Sequence, residues 1–286
     1  MNLIGILIAL ALEYSLSHLP QWRTHHWFQN AVAMGRRAIP SPAFWNSPLA
    51  LLLLALPVPV GVALVDSAAE AFSPILGIGW AVLVLVMCLG PRDLAEEVAR
   101  YANEQDRQDI GEDLRDGMAE LRHRNAPQIG LLSAVLVQGH ERMFGVLLWF
   151  FVLGPLGASI YRILTLLPRV TAHQKCGAAL QESCMRFHDV AAWLPARITA
   201  LAYTLAGSAE HGFSKLLSSA PEDSPWRDST WHVLATVGGL SLREEVSDDC
   251  ERESPEALQA AMSLVRRCLF ILLAVFSLFT LGGWIA

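Results

Sequence analysis

The sequence predicts an all-α, polytopic integral membrane bundle of four to six membrane segments with helical cytoplasmic loops, and three observations lead to it. Apolar segments recur at 48–65, 74–90 and 268–286, separated by long stretches rich in arginine and glutamate. The run 75–89 carries no charge, and a helix needs about 20 mostly apolar residues to cross the hydrocarbon. Composition agrees: of 286 residues, 53% are hydrophobic and 17% charged, with a mean hydropathy of +0.38, whereas soluble domains carry charge on roughly a quarter of their residues.

Taken in order, the first segment, 1–16, is short for a span and closes near Glu13. Without a basic leader or a small-residue cleavage site, it reads as a retained membrane segment rather than a signal peptide. The second, 49–65, contains Pro57 and Pro59, which predict a kink because proline has no N–H to donate to the preceding turn. The third is 74–89. The link 66–73 before it has two acids and no base, so it is expected outside the cytoplasm. Stretches 17–47, with Arg23, Arg36 and Arg37, and 91–142, with seven arginines, are then cytoplasmic. The fourth segment, 143–166, is aromatic at Trp149, Phe150 and Phe151 and ends at Tyr161-Arg162. The fifth, 190–206, holds Pro195 and Arg197, which predict a segment that lies in the interface or re-enters. The last, 269–286, follows Arg266-Arg267.

Between these segments, 91–142 repeats apolar residues at Leu94, Val98, Tyr101, Ile110, Leu114, Met118 and Leu121, the stripe of an amphipathic cytoplasmic loop. Residues 208–267 form a second polar loop before the C-terminal span. Five cysteines without a Cys-x-x-Cys pair read as small hydrophobes. A formal net charge of −6 spread over acidic and basic loops argues against nucleic acid as a partner.

No Walker A loop, nucleophile elbow, His-Glu-x-x-His or Rossmann glycine pattern occurs. The candidates are therefore polar residues where a membrane makes them expensive. Glu13 is a candidate catalytic carboxylate, for which a helix-end role at the headgroups is the stronger reading. Arg162, Arg197 and Tyr161 are candidate anion contacts, weighed against snorkelling to the interface. His188-Asp189 suits a proton relay, and a helix cap with Asp189 accepting is the stronger reading. Metal at His25-His26 is disfavoured, since adjacent histidines on a helix point apart. Gly154-Pro155-Leu156-Gly157-Ala158 is read as close helix packing.

Pro91-Arg92-Asp93-Leu94 after a span, then Gly154-Pro155-Leu156-Gly157-Ala158-Ser159-Ile160-Tyr161-Arg162, then Trp193-Leu194-Pro195-Ala196-Arg197 follow one another in a recognisable order. With the Leu12-Glu13 start and the C-terminal anchor, this resembles the AmpE family of bacterial inner-membrane proteins, related in turn to the CobD/CbiB adenosylcobinamide-phosphate synthases. The resemblance implies a single AmpE/CobD-like membrane domain over 1–286. It also implies a multi-pass inner-membrane protein linked to β-lactamase induction and peptidoglycan recycling, a setting in which the cytoplasmic amidase AmpD is a partner. The synthases join an amino alcohol phosphate to a corrin carboxylate and carry a Glu-Asn pair with a nearby Asp before their aromatic span. The comparable stretch here, Gln138-Gly139-His140-Glu141-Arg142-Met143-Phe144-Gly145, keeps a glutamate without the Asn and Asp.

Two readings of different class follow. The leading one is a non-enzymatic regulatory or sensory protein that binds a ligand or a cytoplasmic partner through 91–142, with the lipid bilayer as its medium and homo-oligomerisation left open. The alternative is a membrane enzyme of CobD/CbiB type joining an amine to a carboxylate, with Glu13, Glu141, Arg162 and Arg197 converging on one cavity. In it the arginines hold the anion and a glutamate acts as base or holds Mg²⁺. A transporter is the third option, with no inverted repeat to support it.

Overall fold

A computed structural model describes residues 2–15, 26–89, 94, 98–99, 115, 118–119, 130–208, 228–242 and 254–283. All regular structure among them is helical: α1 Asn2–Ser15, α2 His26–Ala38, α3 Pro42–Trp45, α4 Leu49–Ala55, α5 Pro57–Phe72, α6 Pro74–Cys88, α7 Leu131–Gly139, a π-helical turn His140–Phe144, α8 Gly145–His173, α9 Ala178–Ala206, α10 Asp228–Ser241 and α11 Pro255–Leu281. Three runs are long and apolar enough to cross a membrane, Leu49–Phe72, Leu131–His173 and Pro255–Leu281, with shorter apolar helices at Asn2–Glu13 and Pro74–Cys88. The polytopic helical fold class therefore holds.

The helices group into two compact units, 1–90 with 146–191 and 91–145 with 192–285. In the first, Pro57 ends the helical ladder of α4 at Leu56 and occupies the first turn of α5, where its missing N–H costs nothing. The acidic link expected at 66–73 is instead helical through Phe72, and Ser73 alone separates α5 from α6. The Ser73 hydroxyl accepts from Ile75 N at 3.3 Å, capping α6. The two helices lie back to back: Trp80 Nε1 donates to Val62 O at 3.3 Å, and a Cβ on Gly77 would meet Glu70 Cγ at 2.9 Å. Phe28, Val32, Trp45, Leu51 and Leu54 pack with Ile163, Leu167 and Leu180 into the core of this unit.

At its polar end, the turn after α8 docks on α2 and α3. The Arg36 guanidinium donates to Gln174 O, Gly177 N to Trp45 O, and Ala179 N to Asn46 Oδ1. Burial pushes the neighbouring Cys176 thiol up against the opposing pull of Arg36, so this cysteine is kept as a neutral thiol. Cys88, Cys184 and Cys268 are buried and unbridged, matching their reading as small hydrophobes.

The run 131–173 departs most from its sequence reading. It starts at Leu131, so 131–142 belong to a buried helix and its π-turn rather than to the tail of the polar stretch 91–142. It is also broken at Gly154, whose φ of 64° and ψ of −150° are non-helical. A straight helix would separate residues 149 and 157 by about 12 Å, yet a Cβ on Gly157 would lie 2.3 Å from Trp149 O. The chain turns sharply there. The glycines read as packing residues are a backbone break first, and only glycine adopts such an angle without strain. Pro155, with no N–H, leaves Phe151 O without its helical donor, and Asn2 Nδ2 supplies one at 3.1 Å. Pro195 does the same to Ala191 O, and Trp149 Nε1 fills that gap at 3.0 Å.

In the second unit α7 packs against α10 and α11. The stretch read as a polar loop up to 267 contains α10 and the start of α11, where Ser254 caps Ala257 N at 3.2 Å and Pro255 opens the helix. Of the amphipathic stripe, Leu94 and Val98 are buried, while Tyr101, Ile110, Leu114 and Leu121 lie outside the described residues.

Candidate functional site

Five residues, His140–Phe144, form the π-turn between α7 and α8, with Gly145 N closing on His140 O. Such turns widen the helix by one residue, loosen the carbonyl ladder and occur often at functional sites. Here the turn carries His140, Glu141 and Arg142, exposed by only 0%, 4% and 8%. Charged groups inside a membrane run are costly and mark sites by default.

Three neighbouring helices fix the geometry. On α9, Thr199 Oγ1 donates to Pro195 O at 2.9 Å, so its single hydrogen is committed and the 2.9 Å contact with His140 Nδ1 has the histidine as donor. The opposite ring nitrogen, Nε2, faces away from that pair. The His140 ring meets Trp231 of α10 edge-on at 6.3 Å between centroids. Tyr203 of α9 donates to Leu136 O at 2.8 Å and packs edge-on against Phe144 at 6.1 Å. Small residues permit this closeness: a Cβ on Gly139 would press on Val265 of α11 at 3.2 Å, and one on Gly238 would meet Leu136 at 2.8 Å.

Arg142 Nε donates to Gln138 Oε1 at 2.9 Å, one turn back. Because a guanidinium only donates, this bond fixes the carboxamide orientation and turns Gln138 Nε2 away. That amide nitrogen is fully buried and has no partner among the described residues, as is also true of Thr230 Oγ1 and Thr236 Oγ1 on α10. An unpaired buried donor costs about 1–3 kcal/mol, so native folds rarely keep one without a reason.

The sequence-derived candidates divide between the units. Glu141 and Arg197 belong to the second, and Glu13, Tyr161, Arg162, His188 and Asp189 to the first. Tyr161 and His188 come together, with ring centroids 6.3 Å apart, and both are buried, as is Asp189. Asp189 lies in the interior of the 29-residue α9, so the helix-cap reading fails. Arg162 is half-buried on α8 and Glu13 half-buried near the end of α1. Arg197 donates to Trp193 O at 3.2 Å and stacks 4.0 Å from the centroid of the Trp193 ring, an interfacial arrangement on its own helix. Gln138, His140, Thr199 and Tyr203 escaped sequence reading. The available signal was the polar run 138–142 placed directly between two apolar stretches.

Among the described residues, no three His, Cys, Asp or Glu side chains gather into a group able to hold a metal. The Mg²⁺ of the synthase reading thus has no matching donor set in the described site.

A sequence model of the family described as CobD/Cbib protein matches residues 6–245, a stretch that includes the whole π-turn. The chain is 28% identical over 225 residues to the cobalamin biosynthesis protein CobD of Chromobacterium violaceum, covering 75% of this chain and 72% of that protein. It is 28% identical over 160 residues to the cobalamin biosynthesis protein CobD of Stutzerimonas stutzeri, covering 52% of each. No solved structure matches. These matches overturn the AmpE-type regulatory reading, with β-lactamase induction, signalling and peptidoglycan recycling. They overturn equally the expectation that the chain is not an enzyme, because the matching family and relatives are biosynthetic.

Proposed function

The chain belongs to the CobD/CbiB family, and from that premise we propose that it is a cobalamin biosynthesis enzyme of the bacterial inner membrane. Its reaction joins the amine of an amino alcohol phosphate to a corrin carboxylate as an amide. The family match across 6–245 carries this reading, and the buried polar π-turn supports a place for the chemistry. For the step to balance, a nucleoside triphosphate phosphorylates the corrin carboxylate. The amine nitrogen bonds to that acyl carbon as its C–O bond to phosphate breaks and phosphate leaves, and the proton the amine loses passes to Glu141, the carboxylate buried in the turn. Arg162 is a proposed anion contact, with the packed pair Tyr161 and His188 and the buried Asp189 as further candidates on α8 and α9. No step is routed through Mg²⁺.

The test uses the full chain in lipid nanodiscs, supplied with a corrin bearing a free carboxylate, an amino alcohol phosphate and nucleoside triphosphate. Formation of the amide is read by mass spectrometry, and cobalamin synthesis is measured in a bacterium lacking its own CobD/CbiB gene. Product from the wild type, lost in Glu141→Gln, is expected. If the wild type neither forms the amide nor restores cobalamin synthesis, the assignment is wrong.

A further inference from the structure

Resting on that reading, we infer that the π-turn contains an oxyanion-binding site in which Gln138 Nε2 donates to a carboxylate or phosphate oxygen of the substrate. Four observations meet there. The Gln138 side chain is wholly buried, its Nε2 has no partner among the described residues, and its orientation is fixed by Arg142 Nε on Oε1. The donor is thus held in place before any ligand arrives, which lowers the ordering cost of binding. Arg142, clamped on the same carboxamide, brings a positive charge one turn away, and a negatively charged acceptor is the complement that a dry amide donor beside a guanidinium favours. A neutral amide donor binds an oxyanion without adding charge to the membrane interior. Glu141, the proposed proton acceptor, is buried in the same turn as Arg142. Gln138 is a positioning and specificity residue, distinct from the proposed proton acceptor.

Two sources share this chemistry, the corrin carboxylate and the phosphate of the amino alcohol, and the experiment separates them. Full-length wild type, Gln138→Glu and Gln138→Met are compared in nanodiscs. Gln138→Glu keeps the acceptor for Arg142 and so the local fold, while removing the donor; Gln138→Met keeps volume and removes both. Steady-state KM for each substrate is measured alongside direct binding of acetate and inorganic phosphate. A tenfold or larger rise in KM for one substrate in both variants is expected, with KM for the other within twofold and the unfolding temperature of Gln138→Glu unchanged. The substrate affected identifies the oxyanion. Unchanged KM for both substrates overturns the inference while leaving the enzymatic assignment intact. If the wild type forms no amide, the assignment fails by itself. Loss of acetate or phosphate binding in Gln138→Glu would then still support the site, and equal or absent binding in wild type and variant would refute it.

Discussion

The run 131–173 is irregular at two places, and they differ in what happens to the polar groups set loose. At Gly154-Pro155 the freed carbonyl of Phe151 receives Asn2 Nδ2, and the later gap at Pro195 receives Trp149 Nε1. At the π-turn, Leu136 O accepts from both His140 N and the Tyr203 hydroxyl, yet Gln138 Nε2 stays without a partner among the described residues, in a turn whose charged side chains are buried. The lesson is that a helix break whose freed carbonyl is paired from within serves the fold, whereas a turn that retains an unpaired buried donor is shaped for something else to bind. Stability and activity should therefore separate cleanly between the two places.

The largest effect is expected at the first break. Gly157→Val puts a branched side chain onto a backbone carbonyl 2.3 Å from the Cβ position, and folded protein should be lost from detergent extracts, as read by size-exclusion chromatography. Gly154→Ala forces a side chain into a glycine-only angle at about 1–3 kcal/mol, and the unfolding temperature should fall while turnover per folded molecule is kept. Glu141→Gln should do the reverse, lowering amide formation by about 10²-fold or more with little change in unfolding temperature. Should Glu141→Gln instead lower the unfolding temperature while turnover per folded molecule is kept, the contrast drawn above collapses. Asn2→Ala leaves Phe151 O without its donor and should cost about 1–3 kcal/mol. Trp149→Phe, at the Pro195 gap, should cost about 0.6 kcal/mol, near the average for polar contacts between membrane helices. The smallest change belongs to Arg197→Lys: a residue tied to its own helix through Trp193 should alter KM less than about threefold, near 0.6 kcal/mol.

Much of the architecture was legible. Apolar runs gave the three long helices, because hydrocarbon demands length and low charge whatever the neighbours are, but not the starts of two, which lie earlier at Leu131 and Pro255. Proline gave the break before α5 for the same local reason. Hidden from sequence were the choices made by tertiary partners. Nothing about Asn2 announces that it serves Phe151, 149 residues away, and a polar run such as 138–142 looks like a loop until three other helices bury it. Asp189 shows the converse error: its residue type suits a cap, but it sits buried in mid-helix. The family resemblance was visible too, and its second member rather than its first proved to be the match.

The hairpin of α5 and α6 has a consequence for the surrounding lipid. With 15 residues, α6 is roughly 22 Å long, short of a hydrocarbon layer of about 30 Å. Phe72 and Ile75 stand 86% and 79% exposed beside the single-residue turn. An apolar tip on a helix this short matches a thinner hydrocarbon layer better than a full one, with a cost that grows with each ångström of mismatch. Acyl-chain length thus becomes a variable of this fold, with shorter chains relieving the strain.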